Sequence, residues 1–333
     1  MSYKQMTGNV ISATKVEPSG GVASGVWNLQ DAYDYKRGGN WVYLPAEISS
    51  AGFIIVGETN GVCSQITVVT RGDSVDFGDI SSVGGNLAAC SSATRAVFGG
   101  GLIGATAKNT MEYFTHASAG DATDFGDLST TRRAFRGLGN TTRGIFPSGV
   151  NNAGANTDTI DYITIANTGN ASDFGDVSVG LQAPACCAST TRGVIAGGYN
   201  GTDHTNVMEY ITIGSTGNTT DFGDILTLCT SGAGCSSATR GIFSSGSQSN
   251  RDDLSYITIA STGNTTDFGD LVVPSTAPQA EAGGVLGLFM GGNSGRIDQV
   301  VIATTGNATG FSDLSNIPNN GDAAGTSHGG IAA

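Results

Sequence analysis

The chain has 333 residues, 52 of them glycine, with 38% hydrophobic and only 13% charged residues. Glycine, Ser, Thr and Asn at this density exclude a helical bundle and suit many short strands joined by tight turns. A formal net charge of −13 repels phosphate backbones and argues against nucleic acid as a partner. No run of 18 apolar residues exists, so no membrane insertion is expected. The first 20 residues show no secretory signal, so a role outside a cell would imply release by assembly or lysis.

Residues 1–42 stand apart. Residues 1–25 are polar and glycine-rich, and Asn28 is placed to cap a short helix over 29–37, which Gly38 and Gly39 would end. Trp27, Leu29, Tyr33 and Trp41 concentrate aromatic and apolar surface here, and both tryptophans of the chain are among them. The segment is predicted either to pack onto the rest of the protein or to dock it onto a larger assembly.

From residue 43 onward the chain repeats. Asp-Phe-Gly-Asp occurs at Asp76, Asp124, Asp173, Asp221 and Asp267, with a decayed copy at Gly310-Phe311-Ser312-Asp313. The phenylalanines, Phe77, Phe125, Phe174, Phe222, Phe268 and Phe311, are separated by 48, 49, 48, 46 and 43 residues. That period fits a four-stranded propeller blade. Each copy holds four strand candidates, as in Arg192-Gly193-Val194-Ile195-Ala196-Gly197-Gly198 and Glu209-Tyr210-Ile211-Thr212-Ile213, followed by Thr216-Gly217-Asn218 and Asp221.

The expected fold is therefore all-β, a six-bladed propeller over 43–333 with blades near 43–80, 81–128, 129–177, 178–225, 226–271 and 272–314. Two segments compete for the innermost strand of the first blade, 48–52 and a C-terminal strand at 322–330; the latter is favoured because Ala324-Gly325-Thr326-Ser327 resembles the start of other blades. The repeated phenylalanine is expected to pack between blades, its glycine to allow a bulge or a close backbone approach, and its aspartates to accept backbone N–H bonds.

The repeats, of the form Thr-Arg-Gly-hydrophobic-Gly-Gly, Tyr-Ile-Thr-Ile and Ser-Thr-Gly-Asn before Asp-Phe-Gly-Asp, resemble kelch-like propeller proteins of tailed phages, especially cyanophages. Gly25-Val26-Trp27-Asn28-Leu29-Gln30 with Gly39-Asn40-Trp41 is similar to a segment at the start or junction of phage tail and fibre proteins. The resemblance implies a virion structural protein, assembled in the host cytoplasm. It would belong to a tail fibre or other surface appendage, oligomeric in the particle and joined to other virion proteins through residues 1–42. The chain lacks the tryptophan of true kelch repeats in the fourth strand, so kelch-type cellular partners do not carry over.

Arg95, Arg143, Arg192 and Arg240 recur at one repeat position, while the first and last copies have Gly52 and Leu286 there. They are predicted to pair with Asp-Phe-Gly-Asp carboxylates of the same or the next blade, or to form a cationic arc for anionic sugars or lipopolysaccharide phosphates. Asp173 with Asp176, and Asp221 with Asp224, offer hard oxygens for calcium or caps for turns. Without a dense acidic loop, no metal and no cofactor is expected.

The cysteines Cys90, Cys187 and Cys235 share one repeat position, which sets them on different blades, too far apart to pair. Arg71-Gly72-Asp73 and the glycosylation sequons at Asn140, Asn170, Asn218, Asn264 and Asn307 are by-products of the repeat.

No enzyme is expected. His116, His204 and His328 fall at non-equivalent positions, and Glu58, Glu112, Glu209 and Glu281 are the few carboxylates outside the repeat motif that could serve a hydrolase. The loop after Gly-Gly varies between copies. Asn151, Asn156, Asn200, Asp203, His204 and Arg251 in these loops are the candidate contacts to a host-surface glycan or a protein. Unrestrained drift of exposed loops accounts for the same variation, and a purely structural tail, neck or capsid protein is the alternative function.

Overall fold

The computed structural model describes residues 52–56, 61–67, 75–81, 85–246, 252–282, 284–291, 296–313 and 324–327, within a unit spanning Ser50–Ala333. The expected helix at 29–37, the residues Trp27, Leu29, Tyr33 and Trp41, and also Glu58, Arg71-Gly72-Asp73, Arg251 and His328, lie outside the described residues. Among the described residues every regular element is a β-strand.

The strands follow the repeat. The first copy forms β1 (Gly52–Val56), β2 (Val62–Thr67) and β3 (Val75–Asp79), and the second forms β4 (Ala88–Ser91), β5 (Arg95–Gly99), β6 (Leu102–Ile103), β7 (Thr106–Thr115) and β8 (Thr123–Arg132). Next come β9 (Leu138–Gly139), β10 (Arg143–Pro147), β11 (Thr159–Thr164) and β12 (Ser172–Asp176), then β13 (Ala185–Ala188), β14 (Arg192–Tyr199), β15 (His204–Thr212) and β16 (Thr220–Asp224). The last copies give β17 (Gly234–Ser236), β18 (Arg240–Ser244), β19 (Asp253–Thr258) and β20 (Thr266–Asp270), then β21 (Pro278–Ala282), β22 (Leu286–Gly291), β23 (Arg296–Val301) and β24 (Thr309–Asp313). Finally β25 (Ala324–Ser327) returns to pair antiparallel with β1, Phe53 opposite Ser327.

These strands make small antiparallel sheets in a β-propeller arrangement, five of four strands and one of five. The regular four-stranded blades thus number five where the repeat predicts six. The copy that begins with β4 departs because β6 folds back on β7, pairing Leu102 with Ala107 and Ile103 with Thr106. The innermost strands touch in succession, β4 to β9, β9 to β13, β13 to β17, β17 to β21, β21 to β25 and β25 to β4.

Antiparallel meanders fix two ends. The turn from first to second strand and the turn from third to fourth share one end, the arginine face. The loop from second to third strand and the connection to the next blade share the other, the loop face. In each of the five connections from β3 to β21 one described non-glycine residue is left-handed, Asn86, Ala134, Ala183, Ser231 and Ala277, with φ of 63°, 51°, 49°, 56° and 53°. Such φ values are uncommon for alanine. They are held by bonds from blade to blade: Ala134 N to Asn86 O (3.0 Å), Ala183 N to Ala134 O (2.7 Å) and Ser231 N to Ala183 O (2.9 Å).

The core is distributed between neighbouring sheets. Phe174 is buried with Ile211 and Ile213 of the next blade, and Phe268 with Val300, Ile302 and Ala308 of the next. Each phenylalanine is the extra residue of a β-bulge. Glu209 pairs with Asp221 and Met208 with Gly223, which leaves Phe222 unpaired, and the same register shift occurs at Phe77, Phe125, Phe174, Phe268 and Phe311. The bulge turns an outer-strand side chain into the seam between blades and blunts an otherwise open strand edge.

Candidate functional site: the arginine face and the loop face

On the arginine face each guanidinium is committed within the fold. Arg95, Arg143, Arg192 and Arg240 open the second strands β5, β10, β14 and β18. Their Nη1 atoms donate to backbone carbonyls of the next blade: Arg95 to Ile165 (3.2 Å) and Ala166 (2.8 Å), Arg143 to Ile213 (2.9 Å), Arg192 to Ile259 (3.0 Å) and Arg240 to Ile302 (3.0 Å). Each guanidinium also lies over a tyrosine of its own third strand, at 4.5, 4.7, 4.2 and 4.5 Å for Tyr113, Tyr162, Tyr210 and Tyr256. Each tyrosine in turn meets the bulge phenylalanine edge-on, as Tyr210 does Phe222 at 6.1 Å.

The expected pairing of these arginines with Asp-Phe-Gly-Asp is therefore corrected. The aspartates stand on the fourth strand, two strands or about 9–10 Å away, with the tyrosine ring between. The carbonyls of the next blade are closer and need a donor. Where the arginine is missing the tyrosine is missing too: Gln65 and Gln299 occupy the tyrosine position beside Gly52 and Leu286.

The loop-face candidates are largely occupied by their own turns. Asn151 Oδ1 accepts from Ala153 N (2.9 Å) and Ala155 N (3.1 Å), and Asn200 Oδ1 from Thr202 N (2.9 Å) and Asp203 N (2.8 Å). Asn156 Nδ2 reaches across to the Tyr199 carbonyl at 2.7 Å. His204 Nδ1 lies 2.7 Å from Thr230 Oγ1, and its ring is tilted against Tyr199 at 5.2 Å. Of these residues Asp203 is the exposed one, and the others are half-buried.

The third-strand carboxylates are buried and structural. Asp161 Oδ2 accepts from Ser129 N (3.0 Å), Glu209 Oε2 from Ser178 N (3.2 Å) and Asp298 Oδ2 from Val272 N (3.0 Å), while Glu112 accepts from the Ser81 hydroxyl. Each thereby receives the second residue after Asp-Phe-Gly-Asp of the preceding blade. The candidate hydrolase residues Glu112 and Glu209 thus serve the blade seam.

One group escaped the sequence reading. Arg132 and Asp161 form an ion pair at 2.5 Å with both side chains at 0% exposure, and Arg132 Nη1 also donates to the carbonyls of Ser148 (2.9 Å) and Thr159 (2.8 Å). Burial pulls the Arg132 guanidinium below its usual value, partly offset by Asp161. The signal was available: Arg132 stands four residues after the apolar residue that follows the motif, where the next copies carry Leu181 and Cys229.

Among the described residues one group of three carboxylates, Asp252, Asp253 and Asp270, converges within 4.8 Å of one another, and it takes one aspartate from the Asp-Phe-Gly-Asp motif. Partial burial and the nearby Asp252, Asp267 and Asp253 push the Asp270 carboxyl above its usual value. All six cysteines are buried and free.

The loop face has a further character that the sequence did not reveal. Of the seven large hydrophobic side chains exposed among the described residues, Val75 alone lies at the arginine end; Ile103, Val179, Val207, Leu226, Leu228 and Val272, 40% to 64% exposed, belong to the loop face. No protein-family model matches this chain, and no curated protein matches it.

Proposed function

We propose that the protein is a structural component of a tailed-phage particle, a six-bladed kelch-like propeller of a tail fibre or other surface appendage. In this reading residues 1–42 join it to other virion proteins, and the loop face is the surface it presents for host attachment. It acts by contact and not by catalysis. The observation that carries the reading is the contrast between its two ends. The arginine face repeats the same bonds from blade to blade, whereas the loop face changes in loop length, carries the exposed Asp203 and holds six of the seven exposed aliphatics among the described residues. The repeat resemblance to cyanophage propellers supplies the particle.

The purely structural reading is favoured by one specific observation: Asn151 and Asn200 spend their Oδ1 acceptors on their own turns and Asn156 spends its Nδ2 donor on a neighbouring carbonyl, which ties these side chains into the fold and leaves fewer polar groups for a sugar.

The test is retention of the labelled full chain on cyanobacterial cells, beside a chain whose loops 151–158 and 200–205 are replaced by Gly-Ser linkers. Retention that disappears with the loops supports attachment. No retention by either chain, together with antibody labelling of purified particles, leaves the structural reading. Particles that bind no antibody sink the virion assignment.

A further inference from the structure

Among the described residues, five of the six exposed aliphatics of the loop face fall in consecutive blades, with Ile103 apart on the copy that begins with β4. After the apolar residue that ends the motif, the first two connections run Ser81-Ser82-Val83, of which Ser81 is described, and Ser129-Thr130, whereas later ones run Ser178-Val179, Leu226-Thr227-Leu228 and Val272. Their places in the seams are set by bonds to the next blade: Ser178 N to Glu209, Leu226 N to Thr265 Oγ1 (2.7 Å) and Val272 N to Asp298. Val207 lies two residues before Glu209 on β15, on the same side of the strand, so it joins Val179 in one seam. Val179, Val207, Leu226, Leu228 and Val272 therefore trace an arc over three consecutive seams, on one side of the loop face. Aliphatic side chains this exposed and this grouped are unfavourable in water unless something covers them.

The described charge around the arc is mostly negative, with Arg296, ion-paired to Asp298 at the Val272 seam, as the basic side chain beside it. Asp203, Asp224, Asp252, Asp253 and Asp270 stand at the same end of these blades. Between residues 159 and 291 the described basic side chains are Arg192 and Arg240, and both are held at the opposite end. An apolar centre with a carboxylate rim complements a surface of the reverse design.

We propose that this arc docks a protein whose contact surface sets lysine or arginine side chains around aliphatic ones. The inference rests on the loop face being the outward surface proposed above, and it replaces glycan by protein as the occupant of this sector. Aliphatic contacts supply the affinity, and the aspartates supply orientation, rate of encounter and sensitivity to salt.

The probe is a fluorescent amphipathic helical peptide with a leucine face flanked by lysines, titrated into the full chain and followed by anisotropy. A peptide with glutamate for lysine serves as control. The lysine peptide should bind saturably and the glutamate peptide should not. The combined variant Leu226→Ser, Leu228→Ser and Val272→Ser should weaken binding by at least about tenfold, with an unchanged thermal transition because these side chains are exposed. Asp203→Asn with Asp252→Asn should weaken binding and flatten its salt dependence. Val75→Ser, at the other end, should change nothing.

Equal binding by the serine variant would mean bulk charge attraction and overturn the proposal, as would absence of saturable binding. Self-association in sedimentation that the serine variant abolishes would assign the arc to a second copy and overturn it equally. None of these substitutions except Asp203→Asn touches the loops exchanged in the cell assay. Failed peptide binding with loop-dependent cell retention therefore removes the docking inference alone.

Discussion

The amide of Gly217 donates to the carbonyl of Phe174 at 2.7 Å, joining the turn of one blade to the bulge of the blade before it. The same bond links Gly120 to Phe77, Gly169 to Phe125, Gly263 to Phe222 and Gly306 to Phe268, each at 2.7 Å. Around it, Asp176 N donates to Asn218 Oδ1 (3.1 Å) and Thr219 N to Asp176 O (2.9 Å). Asp-Phe-Gly-Asp and Thr-Gly-Asn are thus two halves of one clamp across each of these seams.

The clamp leaves no room for a side chain at the motif glycine. Gly175 has φ of +143°, and a Cβ there would stand 2.5 Å from the Gly217 carbonyl oxygen. Gly175→Ala should cost at least about 2–3 kcal/mol. Gly214→Ala, where a Cβ meets nothing within 4 Å, should stay within about 0.5 kcal/mol. Urea midpoints of the two variants decide it; equal midpoints would mean that the clamp contributes little.

The asparagine of the clamp acts as an acceptor, and the first seam uses aspartate in its place: Asp79 N donates to Asp121 Oδ1 at 3.2 Å. Asn218→Asp should therefore be nearly neutral, whereas Asn218→Leu should cost about 1 kcal/mol. Thermal scans of both variants would show the difference.

The Arg192–Tyr210 contact should behave as a cation–π pair joined to a carbonyl bond, not as a salt bridge. A double-mutant cycle on Arg192→Ala and Tyr210→Ala should give a coupling of about 0.5–1 kcal/mol. It should change little between low and high salt, because neither partner of the arginine carries a formal negative charge. A coupling that vanishes in salt would restore the carboxylate pairing.

The Arg132–Asp161 pair lies where the next copies have Leu181 or Cys229 at the first position and Glu209 or Ser255 at the second. Arg132→Leu alone strands a buried carboxylate and should cost about 3–5 kcal/mol. Arg132→Leu with Asp161→Ser should recover much of that loss, since both residues are native to these positions elsewhere in the ring. Failure of the second change to rescue would assign the cost to lost packing.

Burial pushes the Cys186 and Cys229 thiols up to about 12 and raises the other four as well. The folded protein thus holds these protons more tightly than the unfolded chain, whose thiols titrate near about 8.5. The stability contribution is intact below that pH and is lost as pH rises from there toward 12. The urea midpoint should fall between pH 8 and pH 10.5, less steeply in Cys229→Ala. At pH 8 a thiol reagent should label none of the cysteines in the native protein and all six after unfolding.

Much of the architecture is written locally. The spacing of Phe77, Phe125, Phe174, Phe222, Phe268 and Phe311, the glycine beside each of the first five and the alternation of the third strands depend on residues close in sequence, and a period of blade length admits few folds. The partners of Arg95 and Asp161 were not legible. Arg95 bonds Ile165 across 70 residues, Asp161 meets Arg132 across 29, and neither partner carries a sequence mark that outranks the nearer aspartates.

By itself, then, the amino-acid order determined the strand repeat, the bulge phenylalanines and the glycine turns, because backbone sterics and hydrophobic alternation act within a few residues. The tertiary structure decided which carbonyl each guanidinium reaches, which carboxylates are buried, how the loop asparagines are spent and where exposed aliphatics gather. Those outcomes depend on distances between blades, which arise only when the sheets close on one another.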